Sequence, residues 1–447
     1  MAVDFDNRVQ LIPQDPASYR NNKPIGHTNP KISPVPRESS VNPFRDVRKF
    51  LIGTALALGS TALLAEEMHL LSGLDEPRRH LEERGMVAEA ILTTDTMYNV
   101  DGGIERDGTL LGNLDLTLEI DTGKAGLWKN GTFLIYGLGN FNTGKLLTEI
   151  VGDFQATSNI ETDRGFKLYE AWYEHRFGDD ASLLFGLHDF NSEFDVVEYG
   201  GIFLHSSFGI SADISQNGPS IFSVTALGAR LKVWPTESTY IMTALYDGVP
   251  GDPTNPTHTS IQLDKGDGLF GALEIGHTVG IPGSLEYFKY AMGTWMLTAE
   301  VENFAGTIQD ENSGIYFIGE KTLFEDDAGR GSLGAFVQLG FTHADRNQVD
   351  HYWGAGLNYT GLIPSRSEDI AGLALANARN GSNFIRYARD VEGLSVDHTE
   401  TAIELTYMAI VQPWLTIQPD LQYVINPGMD SSLDNALVAG VRVEVAF

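Results

Sequence analysis

The last twelve residues, Ala436 to Phe447 (ALVAGVRVEVAF), constrain the fold more than any other stretch of the chain. Side chains alternate across a strand. Leu437, Ala439, Val441, Val443, Val445 and Phe447 therefore share one face, and Val438, Gly440, Arg442, Glu444 and Ala446 share the other. The first face is apolar throughout; the second carries an arginine and a glutamate. The sequence then stops on an aromatic side chain. Such a strand suits the last stave of an outer-membrane β-barrel, apolar toward lipid and polar toward a water-filled lumen.

Composition is compatible with a barrel. Charged residues are 20% of the chain, 48 residues are Gly and Cys is absent. A closed barrel needs no disulfide even in an oxidising compartment, so the missing Cys is permissive. The length of 447 residues suits two or three soluble domains or one large barrel. A formal net charge of -30 argues against nucleic acid as a partner, because phosphate contacts need clustered Lys and Arg.

A targeting signal stands in an unusual place. Arg45, Arg48 and Lys49 form a basic cluster, Phe50 to Ala65 (FLIGTALALGSTALLA) is uncharged and mostly apolar, and Glu66 and Glu67 follow. This is the basic, apolar and small-residue order of a secretory signal. A membrane-spanning helix needs about 20 apolar residues, and this run is short for one. Cleavage is expected after Ala65, although Leu63 at the third position back is larger than preferred. Residues 1–44 are polar and Pro-rich, unlike a signal. Either the signal has a long leader or the true start lies downstream, for example at Val41. The expected organisation is a leader or misplaced start over 1–44, a signal peptide over 45–65, a periplasmic helical segment over 66–85 and a barrel over 86–447.

After the charged, helical pattern Leu74 to Arg84 and Gly85, about sixteen segments of barrel-strand length follow. Leu114, Leu116, Leu118 and Ile120 oppose Asn113, Asp115, Thr117, Glu119 and Asp121. Ile403, Leu405, Tyr407 and Ala409 oppose Glu400, Glu404 and Thr406. Leu415, Ile417, Leu421, Tyr423 and Ile425 oppose Thr416, Gln418, Asp420 and Gln422. Pro419 cannot donate a ladder hydrogen bond, so a bulge or local distortion is expected there. Tight turns (Gly178–Asp180, Pro235–Glu237, Gln412–Pro413) alternate with long segments (Phe141–Gly165, Asn191–Ile221, Asp247–Asp267, Asn380–His398). Short periplasmic turns and long outer loops have this rhythm. The fold expected is an all-β, antiparallel up-and-down transmembrane barrel with a short N-terminal helix and both termini periplasmic. A soluble β-sandwich or solenoid would share the alternation but not the signal, the terminal Phe or the loop rhythm.

Several long stretches, in order, resemble the carbohydrate-selective (OprB-type) porins of Gram-negative outer membranes. They are VGDFQATSNIE (Val151–Glu161), LYEAWYEHRF (Leu168–Phe177), GLHDFNSEFDVVEYGGIFLHSSFGI (Gly186–Ile210), YDGVPGDP (Tyr246–Pro253) and LTIQPDLQYVINPG (Leu415–Gly428). The resemblance runs from about Met86 to Phe447. It departs upstream, where the family has an opener resembling GDWGGLR and this chain reads HLLSGLDEPRRHLEERG, without the Trp. The resemblance implies a water-filled, largely monomeric barrel of 16 strands passing neutral sugars by diffusion. Asp, Glu, Asn and Arg hydrogen-bond hydroxyls and aromatic faces pack on sugar rings. Weak binding lets a solute leave as well as enter.

Candidate pore-lining groups follow. Asp153, Asn159, Glu161 and Arg164, with Asp163, lie in or at the end of the first long segment. Asp189, Asn191, Glu193 and Asp195, with Glu198, lie in or at the start of the second. Loops of that length are usually functional or flexible, and these are expected to fold into the pore as a constriction. On LYEAWYEHRF, Leu168, Glu170, Trp172, Glu174 and Arg176 share a face too charged for lipid, so Trp172 is a candidate for stacking on a sugar. Tyr169, Ala171 and Tyr173 then face lipid. Arg230 and Lys232 point inward and set positive charge across from an acidic wall.

Other signals are discounted. Gly266–Gly271 matches a dinucleotide pattern but precedes a strand-like ALEIGHT. His175, His188, His205 and His277 lack metal spacing, and Glu325-Asp326-Asp327 reads as solvated loop charge in preference to a Ca²⁺ site. No cofactor or metal is expected, and no catalytic residue. The expected partners are neutral sugars, outer-membrane lipid and the barrel insertion machinery, which would read the C-terminal strand and Phe447. Competing readings are a selective channel for other small solutes or cations, an outer-membrane barrel enzyme, for which no Gly-x-Ser-x-Gly elbow is present, and a structural or adhesive barrel. The acidic balance disfavours an anion pore, for which rings of Arg or Lys are expected. The maturation reading has a direct check. N-terminal sequencing of the membrane form is expected to start at Glu66; a protein retaining Phe50–Ala65 would refute it.

Overall fold

The computed structural model describes residues 70–326 and 330–447. The leader, the signal with its cleavage point, residues 66–69 and Asp327 of the acidic triplet lie outside the described residues. Sixteen antiparallel strands close into one barrel. In chain order they are β1 (Met86–Gly103), β2 (Gly108–Asp121), β3 (Gly131–Asn142), β4 (Gly165–Phe177), β5 (Ala181–His188), β6 (Ala226–Thr236), β7 (Thr239–Asp247) and β8 (Leu269–Val279). There follow β9 (Phe288–Leu297), β10 (Asn312–Glu325), β11 (Ser332–Thr342), β12 (Val349–Thr360), β13 (Ile370–Asn380), β14 (Thr399–Gln412), β15 (Leu415–Ile425) and β16 (Asp434–Ala446). Each strand pairs with its neighbours in sequence, and β1 closes on β16 with Asp95 opposite Arg442 and Ile91 opposite Ala446. Closure leaves no barrel strand with an unpaired edge, the requirement for a sheet in lipid.

The alternation holds where it was read. On β14, Glu400, Glu404 and Thr406 are buried while Leu405 is exposed; on β15, Gln418, Asp420 and Gln422 are buried while Ile417, Leu421 and Tyr423 are exposed. The exposed apolar residues form the outer wall, which lipid covers. Connections after β3, β5, β7 and β13 are long (143–164, 189–225, 248–268 and 381–398), and those after β4, β6 and β14 are short. Long connections therefore share one end of the barrel, and the short turns share the other with both termini.

Two local expectations need correcting. The first concerns β4. A register shift places Tyr136 opposite Glu170 and Gly137 opposite Leu168, so Tyr169 is the extra residue of a bulge. A bulge reverses the facing on one side of it. Leu168 is consequently exposed outward, and Tyr169, read as lipid-facing, is buried inside with its hydroxyl donating to Asp189. The second concerns Pro419, where the bulge is absent and the distortion is confined to a local interruption of the ladder. It pairs with Val441 on β16, and only the β14 side loses pairs between Thr406–Asp420 and Ala409–Ile417. Proline lacks the donor but its outward position on β15 needs no bulge to fit.

The N-terminal helix α1 (Asp75–Glu82) carries Asp75 and Glu76 in its first turn and Arg79 and His80 in its last, each complementing the helix dipole. Gly85 ends the excursion at φ +77°, and a Cβ there would sit 2.5 Å from the Lys124 Cβ. Arg78 on α1 donates to the Phe447 carbonyl oxygen at 2.5 Å, so the helix rests on the end of the last strand.

Inside, the 189–225 loop packs on the wall. Phe190, Phe194, Tyr199, Phe203 and Phe208 of the 189–225 loop pack on Phe270, Trp295, Tyr316, Phe336 and Tyr352 of the wall in one apolar cluster. The two faces of the wall set opposite tolerances for charge. Leu405→Arg, on lipid, is expected to cost about 2–4 kcal/mol if it sits near the midplane, whereas Thr117→Arg, inward and half-buried, leaves the barrel folded. Urea titration of both variants in detergent, followed by heat-modifiable gel mobility, checks this; equal damage would count against the facing.

Candidate solute path through the barrel

Two loops enter the lumen, and wall carboxylates hold their backbones. The 189–225 loop begins with Asp189, whose carboxylate accepts the Asn191 N–H at 2.7 Å and caps a short 3₁₀ turn. It then descends far enough for the Tyr199 hydroxyl to accept from the Gly283 N–H at 3.0 Å, in a turn at the terminal end. Glu320 on β10 accepts the successive N–H groups of Glu198 and Tyr199 at 3.0 and 2.8 Å. Glu404 on β14 does the same for Leu204 and His205 at 2.7 and 3.0 Å. Glu274 on β8 takes the Asp195 N–H at 3.1 Å and the hydroxyls of Tyr240 and Tyr316 at 2.7 and 2.6 Å.

The 143–164 loop is held in the same manner. Glu400 on β14 accepts from Phe154 and Gln155 N–H at 2.7 and 2.9 Å. Asp95 on β1 accepts the Ser158 hydroxyl at 2.7 Å and a bidentate pair from Arg442. The loops also bind each other, through Asn159 N–H to the Leu204 carbonyl at 2.7 Å and Ser206 N–H to the Ala156 carbonyl at 3.0 Å. A backbone amide buried without an acceptor costs roughly 1–3 kcal/mol. Each two-pronged carboxyl group removes two such costs.

The open part of the lumen is the side the loops leave free. Along the middle of β8 to β15 the inward side chains are buried, among them Glu274, Trp295, Gln338, Glu404 and Gln422. On the other arc the inward side chains toward the long loops are also buried, among them Asp95, Asn113, Glu170, Trp172 and Arg230, but those toward the terminal end are half-buried: Glu444 on β16, Glu89 on β1, Asp115 and Glu119 on β2, Tyr136 on β3, Glu174 and Arg176 on β4, Lys232 and Trp234 on β6, and Tyr240 on β7. Inward and partly exposed means reached by lumenal water. A crescent from β16 to β7 therefore remains, acidic over β16 to β2 and with basic and aromatic groups over β4 to β7.

The expected site residues fall in several places. Asp153 and Asp195 are wholly buried, and each carboxylate accepts a hydroxyl of its own loop, from Thr157 at 2.5 Å and from Ser211 at 2.6 Å. Burial pushes Asp195 up to about 7. Glu161 accepts the Leu147 and Thr148 N–H groups at 2.7 and 3.0 Å, capping the helical turn Leu147–Val151. Burial, with Asp153 nearby, raises it to about 7. Glu170 is buried and accepts the Asp189 N–H at 2.8 Å. Trp172 is buried against Leu134 and Leu184, with no ring face open to a sugar. Arg230 is buried between Glu174 at 2.9 Å and Glu193 at 2.5 Å, so its charge is matched locally and sets no transverse field. Burial alone would raise Glu193, but Arg230 and Lys232 overrule it and hold it at about 2. Asn159 is half-buried and accepts from Arg442 at 2.7 Å; Asn191 is half-buried and donates to the Phe194 and Gly209 carbonyls at 3.1 and 3.0 Å; Arg164 is exposed and donates to Asn142 at 2.8 Å. The lumenal charges outside that set, Glu119, Glu444, Arg176 and Lys232, come from strands, and inward parity was the signal for them.

The comparisons with known proteins agree with this architecture. The model of the carbohydrate-selective porin, OprB family, matches residues 105–447. Porin B of Pseudomonas aeruginosa is 25% identical over 456 residues, covering 89% of this chain and 96% of that protein. OprB of Pseudomonas putida, solved at high pH, is 18% identical and superposes with a TM-score of 0.77 over 87% of this chain and 100% of that one. Its low-pH structure gives 0.55, at 17% identity, over 86% of this chain and 100% of that one. At these identities the solved structures establish the fold.

The carboxylate clamps generate an expectation. Glu404→Ala strands the Leu204 and His205 amides, at about 1–3 kcal/mol each, and should loosen the loop before the barrel. Single-channel conductance is expected to rise and fluctuate while heat-modifiable mobility is kept. Glu404→Gln, still an acceptor, should fall between. Unaltered conductance in the Ala variant would show that the clamp does not set the pore.

Proposed function

Because this chain belongs to the OprB family of carbohydrate-selective porins, we propose that neutral monosaccharides or small oligosaccharides diffuse passively along the crescent between β16 and β7. The chain is a carbohydrate channel of the Gram-negative outer membrane. The observation that carries the proposed path is that half-buried inward residues gather on the terminal-end part of the β16–β7 arc, while the inward residues along the middle of β8 to β15 are buried. The half-buried arc offers carboxylates, hydroxyls and aromatic rings, the groups that hydrogen-bond polyols and pack on their rings. None encloses the solute, and a sugar held weakly can leave.

The same arc also favours cations. Glu89, Asp115, Glu119 and Glu444 share its β16–β2 part, and a narrow low-dielectric lumen focuses such charge. Small cations are accordingly proposed to pass with the sugars. The function is that of a channel and not an enzyme, and a hydrolase assay on the purified barrel tests that part. Insertion is proposed to use the C-terminal strand and Phe447, with outer-membrane lipid around the apolar wall.

Liposome swelling with glucose tests the main reading, and swelling is expected. A barrel that admits an anion of equal size and excludes glucose would sink it. Glu119→Gln with Glu444→Gln should weaken cation preference, read as reversal potential in a salt gradient. Asp195→Asn, buried within the 189–225 loop and away from water, should leave that potential unchanged.

A further inference from the structure

The inward basic side chains of the wall divide into two groups. Lys167 donates to the carbonyls of Ser223 and Pro256 at 3.0 and 2.6 Å. Arg230 is paired with Glu174 and Glu193, Lys289 with Glu198 and Glu320 at 3.2 and 3.5 Å, and Arg442 with Asp95 at 2.7 Å. Arg176 and Lys232 differ. Among the described residues neither makes an ion pair or hydrogen bond with a carboxylate or carbonyl; Lys232 feels the charges of Glu193, Glu274 and Glu174 at longer range, and the close contacts of both are aromatic. The Arg176 Cζ lies 5.1 Å from the centre of the Trp234 ring, and the Lys232 Nζ lies 5.7 Å from that ring and 5.1 Å from the Tyr240 ring.

The register explains the meeting. Arg176 pairs with Ser182, and Ser182 with Lys232, so the two cations stand at one level with a single strand between them. Two strand spacings are roughly 10 Å. Trp234, on the same face as Lys232, fills the space toward the short turns. The neighbouring acids are already engaged: Glu174 and Glu193 on Arg230, and Glu274 by Tyr240, Tyr316 and the Asp195 amide. All four residues are half-buried. Arg176 lies just before the 178–180 turn and Tyr240 just after the 237–238 turn, near the terminal end of the crescent.

We propose that Arg176, Lys232, Trp234 and Tyr240 form a subsite for a sugar acid, the two cations receiving its carboxylate and the aromatic rings its C–H face. The proposal rests on the carbohydrate-channel reading and deepens it. Charge-assisted hydrogen bonds to a carboxylate are about twice as strong as neutral ones. A cation resting on an aromatic face keeps its charge available in a way that an ion-paired cation does not. The subsite offsets, at one level of the pore, the repulsion that the acidic arc exerts on an anionic solute, and it leaves neutral sugars their path.

Current through the full-length barrel in a planar bilayer tests this, with sodium glucuronate, glucose and sodium acetate as blockers at constant ionic strength. The half-blocking concentration of glucuronate is expected to be roughly tenfold below that of glucose, the difference one added charge-assisted contact supplies. Arg176→Gln with Lys232→Gln should bring the ratio to one or reverse it. Lys232→Arg should keep it, and Trp234→Ala should weaken glucuronate without altering heat-modifiable mobility. Equal block by glucuronate and glucose in the wild type, or an unchanged ratio in the double variant, overturns the subsite. Acetate blocking as well as glucuronate overturns the reading of the sugar ring. Glucose that blocks nothing and swells no liposome overturns the carbohydrate reading itself, a different failure.

Discussion

The interior of this barrel depends on one constraint: a loop folded into a lumen takes its backbone amides with it, and each needs an acceptor. Helices and strands satisfy their own amides, but irregular chain does not. Here the wall supplies the acceptors as carboxylates. Glu320, Glu404 and Glu400, on β10 and β14, each receive two successive amides of a loop. The clamps do electrostatically what a secondary structure would do geometrically. They also fix which side of the barrel the loops occupy, because the acceptors stand on the β8–β15 arc. Everything about the free crescent follows from that placement.

How far the sequence showed this differs between the wall and the loops. The barrel was legible because one physical rule, alternation between lipid and water, repeats along every strand. Leu405 and Glu404 took their expected faces for that reason, and so did Arg442 and Glu444. Tyr169 did not, since a single extra residue reverses the parity and nothing local in LYEAWYEHRF announces it. The loops were legible as long and inward-folding but not in detail. Composition marked Asp153, Glu161 and Asp195 as candidate pore-lining groups, and a loop in irregular conformation uses its own carboxylates to satisfy itself: Glu161 caps a helical turn and Asp195 binds Ser211. Hydrogen-bond bookkeeping within a loop depends on its three-dimensional path, which residue type alone does not encode.

Charge along the free crescent has a further order. Buried pairs, such as Arg230 with Glu174 and Glu193, neutralise themselves and act as rigid supports. Half-buried groups remain to act on solutes. A count of all inward charges therefore misjudges the field of the pore, and a count of those that lumenal water reaches describes it better. By that measure the half-buried acids on β16 to β2 and the cationic, aromatic groups on β4 to β7 divide the crescent between them.

Asp95 sits on β1 at the closing seam, holding Arg442 of β16 with one set of lone pairs and Ser158 of the inner loop with another. One carboxylate thus links the first strand, the last strand and the inner loop. The pairing that closes the circumference and the contact that positions the chain within it share a single side chain, so a substitution at Asp95 reaches the seam and the bore together.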